Sequence, residues 1–428
     1  MAVCGGGAAV KLTVVGGGST YTPELVDGIA RLRDTLPVEQ LVLTDPAADR
    51  LALVGSLGRR MFSREGHDGV VSWTTDLDEA VRDADVVLLQ LRIGGQTARA
   101  VDETLPLECG CVGQETTGAG GLAKALRTVP VVLDVAERVR KLARPDAWIV
   151  DFTNPVGIVT RALLDAGHRA VGLCNVAIGY QRQAAQLLGV AASRISLDHV
   201  GLNHLTWERA IRLDGVDVLP QLMAEHGEEL AGRTGMPLEL SRRLGVLPSY
   251  YLRYFYQHDA VVTEQRSEPS RAAKVAAIER ELLEIYADPA LDTKPALLQQ
   301  RGGAYYSEAA VDLVASLMSD GGDVQVVNLR NNGTFAGLSD DAAIEVPAVI
   351  GAHGATPVEL EPLAPLYAGL VQHVSAYEEL ALEAALQGGR ERVFRALLAH
   401  PLIGQLDRAE RLTDLLLAAN ARYLPWAQ

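Results

Sequence analysis

Over the first 200 residues, short β-branched apolar runs alternate with amphipathic stretches. The runs are VKLTVV, QLVLTD, DVVLLQL, AWIVDF and AVGLC, with helices predicted from about Pro23, on to about Phe62, and in a long stretch from about Gly121. Strands alternating with helices imply right-handed βαβ crossovers around a parallel sheet covered on both faces. The fold class expected is α/β, with a Rossmann-like doubly wound parallel sheet domain at residues 8–200. Beyond residue 200 the pattern changes to long helical stretches, roughly 272–287, 304–318, 364–388 and 391–421, interrupted by β-rich pieces such as DVQVVNLR and AAIEVPAVI. A mixed α+β, helix-rich C-terminal domain at 201–428 follows, and the cleft between two such domains is where a small ligand is expected.

Composition narrows the function classes. The chain has 428 residues, 48% of them hydrophobic, enough for an ample core. A net charge of -15 argues against nucleic acid as the partner, since that binding rests on clustered Lys and Arg. The start lacks the basic and apolar regions of a signal peptide, and no run approaches the roughly 18 apolar residues of a membrane span. A cytoplasmic protein is expected, in which Cys4, Cys109, Cys111 and Cys174 stay reduced.

VVGGGST leads directly from the first strand into TPE, with Thr22 expected as helix N-cap and Pro23 at the first helical position. Gly16 and Gly18 would let the backbone approach a pyrophosphate at the helix N-terminus, although Tyr21 replaces the third glycine of the dinucleotide fingerprint. Asp45, at the end of the second strand, suits a ribose hydroxyl and favours NAD over NADP, with Arg50 nearby. The plainer alternative is a tight strand-to-helix turn with no ligand.

The loops after later strands carry the candidate chemistry, and each candidate has a structural alternative. Asn154, before Pro155, is either a substrate contact or a helix N-cap; Glu115 is a site residue or a solvated carboxylate; Arg92 is a ligand or a structural ion-pair partner. Cys174 and His204 offer sulfur and imidazole to a divalent transition metal, or are a buried thiol and a satisfied histidine. In PSYYLRYFYQHD, Tyr251, Tyr254 and Phe255 either pack one helix face or place a phenol where it acts as a base.

The ordered set GGGSTYTPELV, LRIGGQ, GQETTGAGG, DFTNPVG, LCNV, GLNH, YYLRYFY, RGGAYYSEAA and NLRNNG resembles the family 4 glycoside hydrolases over nearly the whole chain. Within that family the residues look most like the 6-phospho-β-glucosidases. The resemblance implies a fold like lactate and malate dehydrogenases, with NAD and a divalent metal, commonly Mn²⁺, in the interdomain cleft. It implies Cys174 and His204 as metal ligands and Tyr251 as the base, with Tyr250 a rival because the tyrosine is doubled. Gly16, Gly18, Ser19, Thr20 and Asp45 fall in the NAD site, and Arg92, Glu115, Asn154, Asn175 and Arg271 at the substrate. Arg271 has the plainer reading of a solvated helix-start arginine. Asn175 follows the metal cysteine where α-acting relatives tend to have aspartate, while Ala177 departs from the usual proline.

The implied reaction is hydrolysis of a phosphorylated disaccharide or β-glucoside by oxidation, elimination, addition and reduction, in a homodimer or homotetramer. A different specificity within the family, a dehydrogenase that releases NADH, and a non-catalytic NAD-dependent sensor are the rival readings.

Overall fold

The computed structural model describes residues 10–303, 305–319 and 321–427; Cys4 and residues 8–9 of the expected first domain lie outside them. The apolar runs become strands β1 (Val10–Val15), β2 (Val38–Thr44), β3 (Val70–Thr74), β4 (Val86–Leu89), β5 (Trp148–Asp151) and β6 (Ala170–Gly172). They pair in parallel in the order β3-β2-β1-β4-β5-β6, that of a doubly wound dinucleotide fold. Val14, Leu41, Leu43 and the whole of β4 are fully buried, each side chain contributing about 1.5–3 kcal/mol on leaving water.

A second, antiparallel sheet follows, made of β7 (Ile195–Leu202), β8 (Leu205–Leu213), β9 (Val216–Asp217) and β10 (Leu247–Pro248). The chain then returns to the first sheet. Strands β11 (Asp323–Arg330), β12 (Ala343–Gly351) and β13 (Gly354–Pro357) extend it antiparallel beyond β6, giving nine strands. Thus three strands from beyond residue 200 complete the sheet begun before it, and one apolar core runs from Val10 to Leu424.

Several elements differ from the sequence expectation. The helix after β1 is Thr22–Arg31, so Thr22 is its first residue and no side chain caps it. The Thr22 hydroxyl instead accepts from Gln90 Nε2 at 2.7 Å, which ties the helix start to the end of β4. The expected helix 391–421 is two, Arg390–Ala399 and Leu406–Asn420, interrupted at His400 and Pro401. The predicted 304–318 helix runs Tyr306–Met318, and Ala304 is outside the described residues. Among the described residues no helix is long and apolar enough to cross a membrane.

Candidate active site

The order of the parallel strands reverses between β1 and β4, and a cavity of about 300 Å³ opens there. Gly16 has φ +87°, and a Cβ on it would lie 2.7 Å from the carbonyl oxygen of Gln90. A Cβ on Gly18 would lie 2.9 Å from Asp45 Cγ. These positions leave open a backbone cradle that side chains would fill, as a pyrophosphate at a helix N-terminus requires. Asp45 accepts from the N–H groups of Gly18 at 3.3 Å and Ala47 at 2.9 Å, which fixes its carboxylate on the cavity wall.

Ser19 also lines the cavity, with its Oγ accepting from the Tyr21 N–H at 3.2 Å. Thr20 faces the other way. It is fully buried; its hydroxyl donates to Glu279 Oε1 at 3.2 Å and accepts from Arg301 Nε at 3.0 Å. The Tyr286 hydroxyl donates to its carbonyl at 2.7 Å, so Thr20 anchors the glycine loop to the helix Arg271–Tyr286. Arg301 and Glu279 themselves reach the cavity, and sequence reasoning missed both.

Arg92 and Asn154 complete the cavity's inner end. The helix after β5 is Val156–Asp165, whose cap position is Pro155 with no side-chain cap bond, so Asn154 is not its N-cap. Asn154 Oδ1 is buried and has no hydrogen-bond partner among the described residues, an acceptor held ready for a ligand donor. Glu115 is no solvated loop carboxylate. It is buried, paired with Arg92, with Lys124 at 2.8 Å and with Arg99 at 3.1 Å. Burial would raise its pKa, but the three cations outweigh that and hold it well below the usual carboxylate range. Lys124 is pulled down to about 8, first by burial and then by repulsion from Arg92.

The charge of Glu115 reaches both His204 and Tyr251, and Cys174 lies near enough to act on the Tyr251 phenol. Cys174 follows β6 and precedes the helix Val176–Leu188. The Asn175 and Val176 N–H groups and the Asn203 side chain favour its charged form. Burial and then the charge of Glu345 nevertheless push the thiol well above its ordinary range, so a thiolate here needs a cation against it. Asn175 sits at the helix cap position, partly exposed.

His204 occupies the two-residue turn between β7 and β8 with φ +61°, a conformation uncommon outside glycine and typical of functional sites. Thr116 Oγ1 meets its Nδ1 at 2.9 Å, leaving Nε2 without a hydrogen bond among the described residues. Burial pulls its pKa down to about 4, so the ring is neutral at pH 7, the form that ligates metals. Tyr251 stacks flat on it, with centroids 3.6 Å apart and planes 7° from parallel. The Tyr251 phenol is raised well above its ordinary value by burial, then by Cys174 and Tyr254. Sulfur and neutral imidazole form a donor set that fits a divalent cation. Among the described residues no three of His, Cys, Asp and Glu gather as a closed cage, so two protein ligands would leave positions for substrate oxygens.

Tyr250, the rival base, is exposed, and its hydroxyl accepts from Arg253 Nη1 at 2.7 Å. Both tyrosines line a second cavity of about 370 Å³, whose cations are Arg99, Arg253, Arg271 and Lys274. Arg271 opens the helix Arg271–Tyr286 and donates to the carbonyls of Gln300 and Arg301 at 3.0 and 2.9 Å. Tyr254 packs with Val112, Val261, Val262 and Leu402, and Phe255 lies against that cluster, so the aromatic stretch serves both packing and site.

Comparison with known proteins gives the family of the chain. The pattern described as "Family 4 glycosyl hydrolase" matches residues 11–190, and that described as "Family 4 glycosyl hydrolase C-terminal domain" matches 199–403. The Bacillus subtilis (strain 168) "Probable 6-phospho-beta-glucosidase" is 39% identical, covering 97% of each chain. The Thermotoga maritima 6-phospho-beta glucosidase, solved with manganese, NAD+ and glucose-6-phosphate, superposes with a TM-score of 0.90 at 31% identity, covering 97% of this chain and 99% of that one. Malate dehydrogenase from Salinibacter ruber, 18% identical over 89% of this chain and 99% of its own, superposes at 0.53 and shares the fold. The chain belongs to the family 4 glycosyl hydrolases.

Proposed function

We propose that this glycosidase hydrolyses 6-phospho-β-glucosides with NAD and a divalent metal ion as catalytic cofactors. The observation that carries the reading is Tyr251, stacked on His204 beside Cys174 and lining a cavity rich in cations, next to a glycine-shaped dinucleotide cavity. When bound, NAD takes and later returns a hydride at sugar C3, and the metal ion supplies Lewis acidity at the oxygen on that carbon.

The chain's own residues do the rest. Gly16, Gly18 and Ser19 seat the pyrophosphate, Asp45 accepts from the ribose hydroxyls, and Thr20 braces the loop from behind. Cys174 and His204 hold the metal ion. Arg271, with Lys274 beside it, takes the 6-phosphate in the second cavity. Asn154, Asn175 and Arg92 face the sugar, and Glu115 keeps Arg92 and Arg99 in place.

Tyr251 removes the C2 proton, which is acidic only while C3 is a ketone. Its raised pKa is the reason positive charge must be held at Cys174 and His204. The leaving group departs by elimination, so no carboxylate nucleophile facing C1 is required, unlike the two-carboxylate glycosidases. A homodimer or homotetramer in the cytoplasm belongs to the same reading.

The test supplies NAD, Mn²⁺ and reductant with phosphorylated and unphosphorylated α- and β-glucosides. The phosphorylated β-glucoside should be cleaved with no net NADH. Stoichiometric NADH would make the protein a dehydrogenase, and preference for an α-glucoside would move it within the family.

A further inference from the structure

Strands β11 and β12 carry two buried polar side chains into the sheet beside Cys174: Asn328, which pairs in register with Gly172, and Glu345. A carboxylate inside the apolar run AIEVPAVI is costly to bury unless its oxygens are fully used. Glu345 Oε1 meets His199 Nε2 at 3.0 Å, while Oε2 accepts from Asn203 Nδ2 at 2.8 Å and Asn328 Nδ2 at 3.0 Å. His199 Nδ1 meets Glu208 Oε1 at 2.6 Å. A continuous chain of contacts thus runs Glu208, His199, Glu345, Asn203, and the Asn203 side chain favours the charged form of the Cys174 sulfur.

We propose that Asn203 and Glu345 are positioning residues for the metal centre: Glu345 holds the Asn203 amide, and with it the turn that presents His204 to the metal ion together with the Cys174 sulfur. The inference rests on the reading of Cys174 and His204 as the ligands. Strand β12, from the far end of the chain, thereby brings Glu345 to the turn that holds Asn203. Asn203 and His204 are adjacent in one tight turn, so holding the amide also holds the imidazole at its φ of +61°. Outer partners of metal ligands commonly change affinity by about 10- to 100-fold.

The experiment is titration of the full-length reduced protein with Mn²⁺ alone, reading free Mn²⁺ by electron paramagnetic resonance, with NAD affinity as the measure of an intact fold. Asn203→Ala and Glu345→Gln should each weaken Mn²⁺ about tenfold or more. Asn328→Ala, which removes a donor to the same Glu345 oxygen but touches no sulfur, should weaken it less than about threefold. Mn²⁺ affinity within threefold of wild type in Asn203→Ala, or an equal loss in Asn328→Ala, overturns the proposal. Should Asn203→Ala fail to bind NAD, Asn203→Ser, which cannot span both partners, decides by the same threshold. A wild-type protein that binds no Mn²⁺ refutes the metal reading itself, and this inference falls with it.

Discussion

The two cavities adjoin the buried Glu115 cluster, and they are built by different means. One wall of the dinucleotide cavity is main chain at the end of β1, where Gly16, Gly18 and the N-terminus of a helix set its form, and side chains such as Asp45 and Arg92 complete it. The second cavity is lined by side chains on short helical segments between Tyr250 and Lys274, whose carboxylates Glu103, Glu264 and Glu268 offset its cations. A backbone cradle is specified by what is missing, namely a Cβ, and tolerates no substitution. A side-chain cavity is specified by what is present, so its chemistry can be removed one group at a time.

The largest expected effect tests that independence. Tyr251→Phe should lower turnover by about 10²- to 10⁴-fold, the usual contribution of a general base, and abolish C2 proton exchange with solvent. NAD affinity should stay within about twofold, because Tyr251 lies outside the dinucleotide cavity. Exchange that persists in this variant and disappears in Tyr250→Phe would move the base to the exposed tyrosine. The reverse test is Asp45→Ala, which should weaken NAD by about tenfold through loss of charged hydrogen bonds and narrow the preference over NADP. Metal affinity should not change, and a matching loss in a Mn²⁺ titration would show that the two sites are coupled.

The same contrast explains what was legible in the sequence. Strands β1, β2, β4, β5 and β6 are largely covered on both faces, so they read as apolar runs. Strand β3 lies at the sheet edge with Val70 exposed and Ser72, Trp73 and Thr74 only partly buried, which erases that signal. The β7–β8 hairpin was missed because Asp198, His199, Glu208 and Arg209 interrupt it. These charges pair with one another or feed the Glu345 chain.

Gly16 and Asp45 were readable because their constraint is local. The stacking of Tyr251 on His204 depends on a hairpin turn and a short helix, and spacing alone does not give it. Lys124 and Glu345 were overlooked although each is a charge within a buried apolar run, itself the signal of a costly group with a task.

The smallest expected effect concerns Lys124, which lines the dinucleotide cavity and touches Glu115 at 2.8 Å. Its pKa of about 8 lies below the 10.5 of a free lysine, so between those values the unfolded chain binds more protons and this residue's contribution to stability rises with pH. Affinity for an anionic pyrophosphate runs the opposite way, since the cavity loses a positive charge as pH passes about 8. NAD binding measured by quenching of protein fluorescence should therefore weaken on the order of threefold from pH 7 to pH 9, as expected for one unit charge acting through a partly screened cavity. In Lys124→Met the profile should be flat over that interval. A wild-type slope preserved in the variant would assign the titration to another group.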